Sequence, residues 1–175
     1  MFNSNTGTAF NQNFGVDGVT WMRPTAVLSP RFLRFNVTFW IVSGNFTTQQ
    51  TNAAAAVLAL NNAYKTEKAG VRIAFTTFMD ATGNTAAATM TEQNSAQDFQ
   101  SVVGFNPREI NVYVVDAVIE STRAGVNYNG TPIIVLGVNG LIPRLLEHEI
   151  GHAFVLWHVN GLPGFTTENV MFPIV

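Results

Sequence analysis

His148, Glu149 and His152 form a His-Glu-x-x-His run, and His158 follows six residues later. These three are all the histidines in the 175 residues. A neutral imidazole nitrogen is the commonest protein ligand for a metal ion. Two histidines four residues apart on an α-helix are offset by about 40° and one turn, so both rings leave the same face. A single cation can take both. Glu149 lies beside the first ring, where its carboxylate can act on a water at that cation. This is the helical zinc-site spacing, with a third nitrogen donor further along. The bare run fixes only three positions and arises by chance. The alternative is a set of surface or core histidines with hydrogen-bonded rings. Confinement of every histidine to one eleven-residue stretch, His148 to His158, favours the metal.

The stretch resembles the extended zinc motif of the metzincins, H-E-x-x-H-x-x-G-x-x-H, at His148, Glu149, His152 and His158. Metzincins also carry a methionine turn downstream. Glu168-Asn169-Val170-Met171-Phe172-Pro173 looks like one, thirteen residues after His158. Three fragments look similar to pappalysin-type members: Asn36 to Ile41, Leu60 to Tyr64 and Ile110 to Val115. The resemblance implies a zinc-dependent metalloendopeptidase with one catalytic zinc held by His148, His152 and His158. A zinc-bound water would attack the peptide carbonyl, with Glu149 as general base. Met171 would lie under the site as an apolar floor. In some relatives a tyrosine two residues after the methionine binds zinc, but that position here is Pro173. The substrate would be a protein or peptide, and calcium is left open.

One position departs from the motif. The family glycine that ends the zinc helix is Val155. On an uninterrupted helix His158 would point roughly 80° away from His148. A sharp turn must bring it back, and a β-branched residue is strained at the positive φ that glycine reaches freely. Two outcomes are open: Val155 makes a non-glycine turn, or His158 is displaced. The second outcome motivates an alternative function, a catalytically inactive metzincin-like binding domain. A structural domain with incidental histidines is a third.

The elements that must position these residues follow from periodicity. Arg31 to Ser43 alternates apolar and polar residues as a strand. Gln49 to Lys68 places Val57, Leu60 and Tyr64 at helical spacing, with Gly70 as its C-cap. Val71 to Met79 returns as a strand, which implies a parallel pair with a right-handed crossover. Asn94 to Val103 reads as a short helix. Ile110 to Val118 and Pro132 to Val138 read as buried strands, with a short edge strand near Gly125 to Tyr128. Leu141 to Leu156 is the expected zinc helix, with Pro143 suited to its first turn. The order matches an α/β (α+β) fold, a metzincin-like catalytic domain with a twisted mixed sheet, a backing helix and a zinc-binding helix. Residues 1–30, rich in Asn, Gly and Thr, read as an N-terminal arm anchored by Phe10, Phe14 and Trp21. The arm reads as an ordinary packed extension; the metzincin resemblance offers a second reading, with Asp17, the only acidic residue before Glu67, as a latency ligand. Residues 31–175 read as one catalytic domain.

Composition narrows the remaining classes. Charged residues make up 11%, well under the usual quarter, and the formal net charge is −2. No basic patch results, so nucleic-acid binding is unsupported. No apolar run reaches the length of a membrane span. The low charge with abundant Asn and Thr fits a secreted, extracellular protein. The chain has no cysteine, which excludes a cysteine-based latency switch within it. Glu147 reads as a solvated helix-face carboxylate rather than a partner of the site, and Trp157 as a packed aromatic. Oligomeric state is not readable.

Overall fold

The computed structural model describes residues 33–66, 70–116, 125–128, 130–158 and 171. The N-terminal arm, Asp17 and Pro173 lie outside the described residues. Five strands form one sheet: β1 (Leu33–Ile41), β2 (Val71–Asp80), β3 (Ile110–Val115), β4 (Gly125–Asn127) and β5 (Ile133–Gly137). Their order across the sheet is β2-β1-β3-β5-β4. β1 pairs with β3 in parallel, Phe39 opposite Val112, and β3 pairs with β5 in parallel, Val112 opposite Ile134. β4 runs antiparallel to β5 and closes that end of the sheet. β1 and β2 are neighbours, as the strand–helix–strand reading expects. Among the described residues three α-helices accompany the sheet, α1 (Phe46–Thr66), α2 (Ala96–Val102) and α3 (Pro143–Ala153), with a 3-10 turn at Ala87–Thr89.

The central strands are apolar on both sides because both faces of the sheet are covered. Side chains alternate across a strand, so one face receives Val37, Phe39 and Ile41 of β1, Val112 and Val114 of β3, and Ile134 and Leu136 of β5. This face packs against Ala53, Val57 and Leu60 of α1 and Leu145, Leu146 and Ile150 of α3. The opposite face carries Tyr113, Val115, Ile133 and Val135, covered by Met90 and by Phe99 of α2. α3, which bears the histidines, therefore lies on the same face as the long helix, against α1, β4 and β5.

Local chemistry explains where the elements begin. Asn45 caps α1 by accepting the Thr48 amide at 3.0 Å. Ser95 and Asp98 form a reciprocal capping box at the start of α2. Pro143 opens α3, where its missing N–H costs nothing. α1 is tied to β2 by Asn61, whose amide accepts from the Ile73 N–H at 3.0 Å and donates to the Ile73 carbonyl at 3.1 Å. Asn111 is fully buried, yet its amide bonds to the carbonyls of Asn106 and Glu109 and accepts from Trp40 Nε1. Among the described residues no helix is long and apolar enough to cross a membrane.

Candidate metal centre

α3 ends three residues earlier than periodicity suggests, at Ala153 instead of Leu156. The reason is Val155. Its φ is 64°, the only positive value at a non-glycine residue among those described. Phe154 caps the helix at φ −91° and ψ 17°. The Leu156 N–H then reaches back to the Gly151 carbonyl at 3.0 Å, and the Val155 N–H to the His152 carbonyl at 2.8 Å. These two bonds make a Schellman cap, the helix ending usually built on glycine. Of the two outcomes left open by the sequence, the non-glycine turn is the one realised.

The turn returns His158 to the two helical histidines. The Nε2 atoms of His148, His152 and His158 lie 3.1 Å apart in all three pairs. His148 is buried, His152 half-buried and His158 exposed, so the triangle opens toward solvent from a buried base. His152 Nδ1 lies 2.8 Å from the Leu156 carbonyl oxygen. A carbonyl only accepts, so Nδ1 carries the proton and Nε2 of the neutral ring presents a lone pair to the triangle. The Schellman turn thus also supplies the group that orients the second histidine.

The donor set fits a divalent cation. For Zn–N bonds near ~2.0–2.1 Å, a tetrahedral site has donor–donor edges of about 3.3–3.4 Å. The 3.1 Å triangle is slightly tighter. One proton placed among three ring nitrogens satisfies one edge, whereas a cation satisfies all three donors together.

Glu149 is 4% exposed, inside the buried side of α3. Met171 is also 4% exposed, and its sulfur rests on Gly151, in the space where any side chain at that position would begin. The methionine therefore sits directly beneath the helical turn that carries both helical histidines. Sequence pattern alone does not single out Gly151. Its signal was the one smallest residue on a helix otherwise free of glycine. Glu147 is half-buried rather than fully solvated, and with burial its charge helps raise the Tyr64 phenol above its usual range. Trp157 is a correction: it is 77% exposed, the end of an open apolar run from Phe154. The helix stops before it, so no packed face receives the indole. Phe154 itself meets Phe35 of β1 edge-on, 5.2 Å between ring centres.

A second group missed by sequence reasoning is the β4–β5 turn. Asn127 accepts the Gly130 N–H at 2.9 Å and donates to the carbonyls of Thr131 and Ile133, both at 2.8 Å. The Tyr128 hydroxyl shares its proton between the carbonyls of Glu92 and Asn94, and burial pushes its pKa up to about 12 with help from Glu92 and Asp98. This turn faces the end of α3 through Gly130.

No family model matches the chain, and no curated protein matches it. Among solved structures, it is similar to archaemetzincin from Methanopyrus kandleri, with a TM-score of 0.47 and 14% identity over 73% of this chain and 77% of that one. At that distance it is the histidine geometry of this chain that bears on function.

Proposed function

We propose that this chain is a zinc-dependent endopeptidase of metzincin type, with His148, His152 and His158 as the metal ligands and Glu149 as the general base. The observation that carries the reading is the triangle of Nε2 atoms, 3.1 Å on every side, with His152 oriented by a backbone carbonyl. Zinc, when held there, acidifies water toward neutral pH and polarises a carbonyl. The Glu149 carboxylate takes a proton from the attacking water and passes it to the leaving nitrogen. Burial of Glu149 keeps competing solvent away from that carboxylate. Met171 supports α3 from below through Gly151 and makes no bond to the metal. The substrate is a protein or peptide, and the composition favours an extracellular setting. The pappalysin-like fragments are a finer likeness within the same proposal.

Metal analysis of the purified chain, paired with cleavage of an unstructured casein-type protein with and without chelator, tests this. One zinc per chain and chelator-sensitive cleavage are expected. Glu149→Gln is expected to keep the zinc and lose at least about two orders of magnitude in activity. Residual activity within tenfold of the parent would remove Glu149 from its role. The alternative is a catalytically inactive metzincin-like binding domain. Stoichiometric zinc with no cleavage of any unstructured substrate would select it.

A further inference from the structure

We infer that Gly130, in the β4–β5 turn, is a positioning residue for His158 and acts through Val155. The inference rests on the metal-centre reading above and concerns residues outside it. Val155 holds φ 64°, and although its side chain is mostly exposed its two methyls meet the chain across the turn. The facing residue is Gly130. A Cβ placed on Gly130 would stand 3.3 Å from Val155 Cγ2, 3.9 Å from Cγ1 and 3.8 Å from the His152 carbonyl oxygen. The first distance is tighter than ordinary packing. The glycine that a tight helix ending normally carries has in effect moved across the gap. Residue 155 keeps a side chain, and the opposing chain gives one up.

Two constraints meet at Gly130, and they can be separated. Its own φ is +76°, which any L side chain resists. The contact with Val155 is a further demand that exists only while Val155 keeps its methyls. Asn127 fixes the turn by bonding to the Gly130 N–H and to the carbonyls on its far side, so the turn does not simply yield. A side chain at 130 would press on Val155 at Cγ2, while the His152 carbonyl lies at ordinary contact distance. Val155 lies three residues before His158, and the His152 carbonyl accepts the turn's own N–H from Val155. Displacement there moves the third nitrogen out of the triangle while leaving His148 and His152 on α3.

The test is a double-mutant cycle on the full chain, read by zinc affinity in chelator competition and by the visible spectrum of the cobalt(II)-loaded protein. Gly130→Asn adds a Cβ while tolerating positive φ better than other residues. It is made in the parent, in Val155→Gly, and in Val155→Ala, which removes only the methyls that face Gly130. In the parent, Gly130→Asn is expected to weaken zinc about tenfold or more and to weaken the tetrahedral cobalt bands. In either Val155 variant the loss is expected to shrink to about threefold or less, with the cobalt spectrum restored. Equal losses in all three backgrounds would show that Gly130 matters only through its own backbone, and would overturn the inference. A parent that binds no stoichiometric zinc or cobalt would overturn the metal-centre reading, and the role of Gly130 with it.

Discussion

Val155 is held at φ 64° by a Schellman cap on one side and a facing glycine on the other. A non-glycine residue so placed stores strain on the order of 1–3 kcal/mol. Val155→Gly releases it, and the added freedom of the unfolded chain opposes by about 0.5–1 kcal/mol. The side chain is mostly exposed, so little burial is lost. Because the backbone is left-handed, the strain term wins. Val155→Gly is expected to bind zinc more tightly in chelator competition, and an unchanged or weaker affinity would count against strain at this turn. Gly151 presents the reverse case. Alanine is the better helix former by about 0.8–1 kcal/mol, but its Cβ collides with the Met171 sulfur. Overpacking of this kind costs about 1–3 kcal/mol. Gly151→Ala is therefore expected to lower stability in denaturant unfolding. The loss should shrink when Met171→Ala is combined with it, and simple addition of the two single losses would show that the contact is not the cause.

Elements follow the same logic with local signals. The capping box at α2 draws on Ser95 and Asp98. The Ser95 backbone N–H first, and its side chain second, hold the Asp98 carboxyl below its ordinary range. A depressed carboxylate stabilises the fold at pH above its unfolded value, and that contribution fades as pH falls through the lower folded value. Ser95→Ala is expected to cost about 1 kcal/mol at neutral pH. The difference from the parent should narrow in acid, below the carboxylate range, as measured by urea unfolding at several pH values. A difference that stayed constant down to the acid limb would assign the loss to the Ser95 hydroxyl accepting the Asp98 N–H, and not to the Asp98 carboxylate. Strands and helices of this kind are legible in the sequence because the signals are local: alternation gives β1, short continuous apolar runs give β3 and β5, and the Val57, Leu60, Tyr64 spacing gives α1. The end of α3 was not legible. Residues 154–157 continue a helical, apolar pattern, and only the turn at Val155 breaks it. Tertiary partners such as Asn61 on the Ile73 backbone were equally hidden, since an asparagine on a helix carries no mark of the strand it meets.

Across the whole molecule, the candidate site is assembled from distant parts of the chain: α3 and its cap, the β4–β5 turn through Gly130, β1 through Phe35, and Met171. The histidine spacing announced two of the three donors directly. The third depended on a turn whose feasibility lay in a residue some twenty-five positions away, which spacing alone does not encode. Such an assembly binds metal only when folded, so a ligand for it stabilises the native state by mass action. With free zinc at one hundred times the dissociation constant, the gain is about 2.7 kcal/mol. For a chain of this size each kcal/mol moves the melting temperature by roughly 2–4 °C, so chelation is expected to lower it by about 5–10 °C. His158→Ala supplies the control. It leaves α3 and its pair of histidines in place but removes the donor that the turn delivers. Its melting temperature should sit near that of the chelated parent and respond little to added zinc. A parent whose melting temperature is the same with zinc and with chelator would mean that the histidine triangle does not hold a metal that the folded chain depends on. A His158→Ala protein that still gained the full shift would mean that the turn at Val155 delivers nothing to the site.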